Sequence, residues 1–444
     1  MIPSKRLYLL LLLGMAVAPV IAILFDRQIS LIALAVFDLI ICSLAVWDGA
    51  TVKPDRVKVT RYPLEKLSIG RDNQITISVE SGKQQANIIL HDDYPPEFAV
   101  SAPTLSAIVE PNSSQELTYH VNPDKRGEFQ WGNIQVRQLG RWGLAWHQWQ
   151  IPVSQQVAVY PDLVGLRSLT IRLSLQNTGT MRQKRRQGMG TEFSELREYG
   201  IGDDTRLIDW KATARRSRPL VRVLEPETEQ TVIILLDGGR LMTAQVQGLK
   251  RFDWGLNATL SLALAGLSRG DRVGVGVFER QVSTWIPPER GKNQLSKLIE
   301  SLTPIQPVLR EPDYVEAVTR LVSQQTRRAL VVVITDIVDA TASGELLAAL
   351  ARLTPRYLPF CVALRDPLLD KLAHTATVSG EKQQVHEKIS AAYTRAVAID
   401  LLSQRQVAFA QLKQKGVLIL DAPANQVSTE LVDRYLQLKS RNLL

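Results

Sequence analysis

Two apolar stretches near the N-terminus constrain this chain more than any other feature. Residues 7–25 carry no charged side chain, and residues 28–47 carry a single one, Asp38. Each stretch is about 20 residues long, the length of helix that crosses ~30 Å of hydrocarbon. Only Asp26 and Arg27 separate the two stretches. The sequence therefore predicts a transmembrane helical hairpin within residues 1–50.

The distribution of basic residues predicts the orientation of this hairpin. Lys5 and Arg6 precede the first stretch, several lysines and arginines follow the second between residues 53 and 66, and the turn holds one arginine. The positive-inside rule therefore predicts that both ends, and the domains after residue 50, face the cytoplasm at the plasma (inner) membrane of a bacterium. A cleaved signal peptide is the alternative for the first stretch. Asp38 either contacts another membrane helix or is tolerated without a role of its own.

Length and cysteine usage limit the class of protein. A chain of 444 residues with 45% apolar content is long enough for two or three domains. Cys42 and Cys361 are far apart, and the five histidines show no metal-ligand spacing, so we predict neither a disulfide framework nor a zinc site. The net charge of +9 is partly explained by the basic residues next to the membrane.

Residues 52–161 alternate between apolar and polar side chains. Seven or so short β-branched segments, separated by turn-forming residues such as those at 81–82, 94–96 and 125–127, predict an antiparallel β-sandwich. Four tryptophans in this part are compatible with a carbohydrate or nucleic-acid platform, but aromatic side chains of a sandwich more commonly pack in its core and at its sheet edges. They are Trp131, Trp142, Trp146 and Trp149.

Residues 231–444 show continuous apolar runs separated by helical patterns. Such strands are buried on both faces and predict a parallel α/β sheet, doubly wound and Rossmann-like. An extra antiparallel hairpin at 282–286 makes the predicted fold resemble that of von Willebrand factor A domains. The predicted strands are 232–236, 273–278, 330–334, 360–364 and 417–420, and the predicted helices are 252–268, 293–302, 314–325, 345–353, 382–415 and 427–438.

Two acids end neighbouring predicted strands, where α/β sheets place their working sites. These are Asp237 and Asp336. In von Willebrand A domains a metal binds here, and the resemblance implies a loop of the form Asp-x-Ser-x-Ser. Gly239 and Leu241 replace the two serines in this chain, and the position of a further threonine ligand falls near Pro312. A hard divalent cation requires oxygen ligands, so we predict a degenerate site without metal or cofactor.

Arg240 lies within this degenerate loop. We hypothesise that its guanidinium replaces the charge of the lost metal beside the two acids. The alternative is that Arg240 faces solvent and that backbone N–H groups satisfy both carboxylates.

Residues 162–230 form a linker that contains a densely charged segment. Its acids and bases alternate among aromatic and aliphatic residues, which favours a half-buried, ion-paired clamp at the domain junction that borders a partner surface. Arg197 and Arg206 can each bind a carboxylate through two hydrogen bonds, Asp203 and Asp204 are candidate helix caps, and Trp210 is expected to pack on a sheet. The candidate residues are Glu192, Arg197, Tyr199, Asp203, Asp204, Arg206, Asp209, Trp210, Lys211 and Arg215.

The order of these residues closely resembles the signature of the bacterial membrane-anchored family called domain of unknown function 58. The family's pattern is matched by the stretch "EFSELREYGIGDDTRLIDWKATAR", which runs from Glu192 to Arg215. The likeness extends over nearly the whole chain. The resemblance implies a von Willebrand A-like domain and association with AAA+ ATPases of the MoxR type. It implies no reaction.

The function that follows is a non-catalytic, membrane-anchored scaffold or adaptor for protein partners. The charged segment contains no His or Cys, and its acids alternate with cations that lower carboxylate pKa values, which disfavours a hydrolase. Nucleic acid is disfavoured because the basic residues form no binding motif and acids lie among them. A metal-dependent ligand-binding protein is the first alternative, and a hydrolase that uses carboxylates of the 192–215 segment is the second.

Overall fold

The computed structural model describes residues 1–24, 27–64, 66–180, 192–225, 230–338, 343–374 and 385–441. They form two compact units, residues 1–160 and residues 161–444, and each is considered by itself.

The first unit begins with a short strand, β1 (Ile2–Pro3), and two helices, α1 (Lys5–Leu24) and α2 (Arg27–Thr51). The hydroxyl of Ser30 donates to the backbone carbonyl of Ala18 at 2.6 Å, so the two helices contact each other. In the part of the chain that the structure describes, one helix, Gln28–Asp55, has the length and apolar composition needed to cross a membrane.

The β-rich remainder of this unit contains three sheets. Their orders are β1-β11-β10-β5-β7, β2-β4-β8-β6 and β3-β12-β9. The alternation predicted from the sequence is present, because every second residue of β4 and β5 is buried. The strands are β2 (Lys58–Arg61), β3 (Leu67–Ser68), β4 (Asn73–Glu80), β5 (Ala86–Asp92), β6 (Ala99–Val100), β7 (Leu105–Val109), β8 (Ser114–Asn122), β9 (Gly127–Trp131), β10 (Ile134–Leu139), β11 (Ala145–Ile151) and β12 (Gln155–Tyr160).

The core of this β-rich part contains an aromatic residue and a buried ion pair. Trp131 is fully buried, and its ring packs edge-on against Phe98, which agrees with the packing role predicted for it. Arg61 and Asp92 form an ion pair at 2.6 Å, with side chains only 2% and 3% exposed. The hydroxyl of Tyr119 donates to Asp92 at 2.6 Å, so both carboxylate oxygens are bonded.

Asp48 joins the end of α2 to the turn between β10 and β11. Its carboxylate is buried and accepts hydrogen bonds from the backbone N–H groups of Trp142 at 2.8 Å and Leu144 at 2.9 Å. The N–H of Ala145 is 3.4 Å away. Residues before α1 reach the same turn, because the N–H of Ser4 donates to the carbonyl of Leu144 and β1 pairs with β11. Both ends of the helical pair are therefore attached to one turn of the β-rich part.

The second unit is an α/β region built on a six-stranded sheet of order β19-β18-β15-β20-β21-β22. All neighbouring strands are parallel except β19, which pairs antiparallel with β18. The strands are β15 (Thr231–Asp237), β18 (Arg272–Phe278), β19 (Val282–Glu289), β20 (Leu330–Thr335), β21 (Leu358–Arg365) and β22 (Leu418–Pro423), with a small pair outside this sheet, β16 (Gln245–Val246) and β17 (Leu249–Lys250).

Helices of the second unit cover both faces of this sheet. Alternate residues of β15 enter two separate apolar cores: Ile234 packs with Phe252 on one face, and Ile233 packs with Phe409 on the other. This arrangement explains why the predicted strands read as continuous apolar runs. The helices are α5 (Arg251–Ser268), α6 (Lys292–Leu302), α7 (Tyr314–Gln324), α8 (Gly344–Leu353), α9 (Pro367–His374), α10 (Val385–Gln414) and α11 (Val427–Ser440).

The linker predicted at 162–230 contains a helix and a strand pair that the sequence interpretation missed, and a short helix that it expected after Asp203 and Asp204. Helix α3 (Leu163–Thr180) packs Leu166, Leu169 and Leu173 into the core that contains Phe252. The spacing of these leucines is helical, so the signal was present in the sequence. The charged segment folds as an antiparallel pair, β13 (Glu192–Glu198) and β14 (Leu220–Glu225), joined through helix α4 (Trp210–Arg216). Of the long helix predicted at 382–415, residues 382–384 lie outside the described part of the chain.

Candidate functional site

Asp237 lies at the carboxyl end of β15, where its carboxylate is completely buried. One oxygen accepts the N–H of Gly239 at 2.7 Å, and the other accepts the hydroxyls of Thr335 at 2.6 Å and Tyr314 at 3.1 Å. Burial raises the pKa of Asp237, an effect that the negative charge of Asp336 reinforces and these hydrogen bonds oppose. Asp237 is therefore satisfied by its neighbours, and no cationic side chain within the described part of the chain pairs with it.

Asp336 follows β20 and is held by two arginines from distant helices. Nη1 of Arg251 is 2.8 Å from one carboxylate oxygen, and Nη1 of Arg405 is 2.6 Å from the other. The side chains of all three residues are between 7% and 12% exposed. Two guanidinium groups thus occupy the space around a carboxylate that the von Willebrand A comparison would assign to a metal.

Arg405 also connects Asp336 to the end of β22. Its Nε and Nη2 lie 3.2 and 3.1 Å from Oδ1 of Asp421. Asp421 is bonded in turn to Nη1 of Arg365 at 3.3 Å. We call Arg251, Asp336, Arg405, Asp421 and Arg365 the strand-end ion network. It neutralises the carboxyl ends of three parallel strands with side chains of the protein itself.

For Arg240 the structure shows the solvent-facing alternative and not the replacement of a metal's charge. Its Nε is 2.7 Å from Glu311, and both side chains are more than half exposed, so Arg240 forms a surface ion pair and not a bond to Asp237 or Asp336. Sequence proximity misled the prediction because the side chain of a residue three positions beyond the strand can leave the site entirely. The charge is supplied instead by Arg251 and Arg405, which are 85 and 69 residues from Asp336.

The loop after β15 is closed by the segment at 308–312. The N–H of Val308 donates to the carbonyl of Gly238 at 2.8 Å, and the N–H of Arg240 donates to the carbonyl of Arg310 at 2.7 Å. A Cβ atom at Gly239 would lie 2.8 Å from Cδ of Pro312 and 2.9 Å from the carbonyl oxygen of Arg310. The serine of the metal-binding loop therefore has no room here. Leu241, at the second serine position, contributes its carbonyl to a hydrogen bond with Arg251 at 3.0 Å.

Over residues 1–24, 27–64, 66–180, 192–225, 230–338, 343–374 and 385–441, no group of three or more His, Cys, Asp or Glu side chains is arranged to hold a metal ion.

We predict that Gly239→Ser destabilises the protein and does not create a magnesium site. The new side chain meets backbone and a proline ring, so the expected loss of unfolding free energy is about 1–3 kcal/mol. Gly344→Ser is the matched control, because a Cβ atom at Gly344 meets nothing within 4 Å. Urea denaturation and magnesium calorimetry measure both variants. Wild-type stability of Gly239→Ser, or magnesium binding by it, would contradict the closed geometry of this loop.

The charged signature segment is the second candidate site, and its ion pairs are local. Nη2 of Arg197 is 2.5 Å from Asp203, which also accepts the N–H of Gly200 at 2.8 Å. The hydrogen bond from Arg197, followed by that from Gly200, lowers the pKa of Asp203. Tyr199 contributes through its backbone, whose N–H donates to the carbonyl of Pro219.

Asp209 caps α4, a role that the sequence interpretation gave to Asp203 or Asp204. Its carboxylate accepts the N–H groups of Ala212 at 3.0 Å and Lys211 at 3.1 Å. Arg222 donates to the other oxygen at 2.8 Å. The hydrogen bond from Ala212, and then that from Arg222, lowers the pKa of Asp209. Asp204 instead caps the short turn at 205–207.

The segment is more exposed than a buried clamp requires. Nε of Arg206 is 3.6 Å from Asp204, its side chain is 90% exposed, and Trp210 is 70% exposed and not packed on a sheet. Lys211 and Arg215 are also exposed. Exposed ion pairs contribute little to stability, about 0–1 kcal/mol each. The side chain of Glu192 lies outside the described part of the chain.

The residues that the sequence interpretation missed are Arg251, Arg405, Thr335 and Tyr314. Arg405 carried a readable signal, because Ala408, Phe409 and Leu412 follow it at helical spacing and are buried. An arginine on the buried face of a helix requires a carboxylate partner. Thr335 and Tyr314 gave no comparable signal, since a single hydroxyl next to an apolar run is common.

These features define a multi-domain protein with an apolar N-terminal helix, several β-sheets and a later α/β region. Residues 195–405 match the family model described as "Protein of unknown function DUF58". The match begins within the signature segment and ends at Arg405 of the strand-end ion network. The resemblance predicted from the sequence is confirmed over these residues.

Curated relatives share this part of the chain. Uncharacterized proteins from Mycobacterium bovis and Mycobacterium tuberculosis are 25% identical over 182 residues, or 40% of this chain. The chain spans 56% of the length of these relatives.

Solved structures are also similar in part. BatB from Bacteroides thetaiotaomicron is 16% identical over 48% of this chain and 99% of its own, with a TM-score of 0.32. An aerotolerance-related membrane protein from Bacteroides fragilis is 15% identical with the same coverage and a TM-score of 0.31. At these TM-scores the likeness carries no argument about fold or function.

Proposed function

We propose that the protein is a non-catalytic, membrane-anchored adaptor that binds protein partners on the cytoplasmic side. The observation that carries this proposal is the filled strand-end site. Asp237 is buried among hydrogen-bond donors and Asp336 lies between two arginines. Neither acid is free to act as a general base or to bind a divalent cation, whereas the signature segment presents exposed aromatic and charged side chains.

The proposed anchor is a two-span helical hairpin with both ends on one side of the membrane. Ile2, Ser4 and Asp48 all contact residues 144–146 of the β-rich part, which we take to be a sandwich. If α1 and α2 both cross the bilayer, the chain must return to the side from which it started. Reporter fusions at residue 50 and at the C-terminus test this topology, and a periplasmic signal from either would overturn it.

The proposed partner class is an AAA+ ATPase of the MoxR type, on the basis of the family resemblance, and the α/β region is proposed to be the von Willebrand A-like domain. We expect the tagged full chain, purified from membranes in mild detergent, to retain the MoxR-type ATPase of its organism. An unrelated AAA+ ATPase from the same cells is the specificity control.

Three outcomes would contradict the adaptor proposal. The first is failure of any MoxR-type ATPase to associate with the full chain. The second is tight magnesium binding by calorimetry, which would favour a metal-dependent ligand-binding protein. The third is a hydrolytic activity that Asp203→Ala and Asp209→Ala abolish without loss of stability.

A further inference from the structure

Helix α4 exposes an aromatic and basic surface. Trp210, Lys211, Ala214 and Arg215 are all exposed, and we call these four residues the α4 face. Residues four apart are neighbours on a helix, so Trp210 adjoins Ala214 and Lys211 adjoins Arg215. The hydroxyl of Thr213, by contrast, accepts the N–H of Leu220 at 3.0 Å. One side of the helix is thus attached to β14, whereas the four residues of the α4 face remain exposed.

Trp210 is the largest apolar group on this face. Its side chain is 70% exposed, and among the described residues it has neither a ring partner nor a hydrogen-bond partner. Its position is fixed nevertheless, because it is the first residue of a helix capped by Asp209. An exposed indole next to arginines, on a backbone that the cap holds in place, has the composition of a binding hot spot.

The positive charge of α4 is not neutralised by the surrounding structure. Lys211, Arg215 and the adjacent Arg216 form no ion pair with any residue whose side chain the structure describes. The carboxylates nearby already have partners, as Asp209 binds Arg222 and Asp203 binds Arg197. A complementary surface therefore has to supply carboxylates of its own.

We propose that the α4 face docks on an acidic surface of a protein partner. This proposal rests on the adaptor function and specifies the surface and the partner chemistry that it uses. Anionic lipid and nucleic acid would also attract the cations of α4. However, Glu198, Asp203, Asp204 and Asp209 form ion pairs with arginines of the same β13–β14 hairpin, so its surface is not the continuous basic patch that a polyanion would bind. A surface with both signs and an exposed Trp suits a protein interface.

The first experiment places the photo-crosslinking amino acid p-benzoylphenylalanine at Ala214 of the full chain in cells. Tyr393 on α10, which is 73% exposed, is the control position. Crosslinked peptides are identified by mass spectrometry. We expect a protein adduct from position 214 and none from position 393, with the attachment point in a partner segment rich in Asp and Glu.

The second experiment measures binding of the purified crosslinked partner to the full chain in phosphatidylcholine nanodiscs. We expect Lys211→Glu/Arg215→Glu to weaken binding about tenfold or more, and Trp210→Ala to weaken it about 30-fold. Arg320→Glu/Lys413→Glu reverses two charges at other exposed positions and should leave binding unchanged. Lysine substitutions at the mapped acids of the partner should restore binding to the α4 reversal variant. Unchanged thermal melts show that the variants are folded.

The outcomes separate this inference from the adaptor proposal. If a partner binds the full chain but the α4 reversal and Trp210→Ala bind it as tightly as wild type, the α4 face is not the docking surface while the adaptor function stands. The same holds if position 214 yields no protein adduct, or yields adducts with lipid or nucleic acid alone. If no ATPase co-purifies and neither position yields a protein adduct, both proposals fail.

Discussion

Arg405→Ala is expected to lower the free energy of unfolding of the α/β region by about 3–5 kcal/mol. The guanidinium of Arg405 is 2.6 Å from Asp336 and about equally bonded by two nitrogens to Asp421, at 3.1 and 3.2 Å. Removing it leaves two carboxylates with one arginine each in a region where the Arg405 and Asp336 side chains are 7% and 8% exposed. Water cannot replace the lost charge at full strength in such a site.

Two companion variants make this prediction specific. Arg240→Ala breaks the exposed pair with Glu311, so it should change stability by less than about 0.5 kcal/mol. Arg405→Met combined with Arg251→Met, Asp336→Asn and Asp421→Asn removes two cations and two carboxylates together, while Arg365 keeps its partner Asp370 at 3.1 Å, so part of the loss should be recovered. Urea denaturation of the full chain gives the global effect, and hydrogen exchange over β20 and β22 gives the local one. Equal effects of Arg405→Ala and Arg240→Ala would show that the network does not stabilise the strand ends.

Asp48→Ala is expected to destabilise the first unit by about 3 kcal/mol. The carboxylate accepts the backbone N–H groups of Trp142 and Leu144 and lies within reach of that of Ala145. A buried donor that loses its acceptor costs about 1–3 kcal/mol, and alanine offers no substitute. Because β1 pairs with β11 directly after this turn, the amides of β11 should also exchange faster in the variant.

Asp72→Ala is the matched control for this prediction. Asp72 is exposed and accepts one hydrogen bond, from the side-chain amide of Asn122 at 3.1 Å. Its removal should change stability by less than about 0.5 kcal/mol. The two variants are compared by hydrogen exchange over β10 and β11. Unchanged exchange in Asp48→Ala would mean that water or a shifted turn satisfies the three amides. A fragment that starts at residue 52 also lacks Asp48 and β1, so we expect the same turn to be loosened in it.

The elements of the α/β region could be predicted because their pattern is local. An uninterrupted apolar run such as that of β15 indicates a strand that is buried on both faces. The acids at the ends of β15 and β20 indicate that the carboxyl-terminal edge of the sheet is polar. The β13–β14 pair was missed because charged residues are dense in residues 192–225. Helix α3 was missed although its segment carries only two charges and the spacing of its leucines is helical. Trp210 was misplaced because composition does not reveal which side of a short helix faces solvent.

The candidate site could be located from the sequence, but the residues that close its loop and pair with its acids could not be predicted. Loss of the loop serines was readable at Gly239 and Leu241. The reason that a serine cannot fit at position 239 could not be predicted from the sequence. The obstructing atoms belong to Arg310 and Pro312, some 70 residues further along the chain. Arg240 was the nearest cation in sequence and proved to lie in a surface pair with Glu311.

The sequence by itself determined the apolar N-terminal segment, the alternating β-rich part, the parallel α/β sheet and the two acids at its strand ends. Each of these depends on spacing between near neighbours, which backbone geometry converts directly into a buried face. The tertiary structure alone decided which cations meet Asp336, which turn binds Asp48 and which face of α4 stays exposed. The first two outcomes depend on how elements dock across 69 to 96 residues of intervening sequence. How these elements dock depends on the packing of the whole core, and a local sequence pattern does not specify that packing.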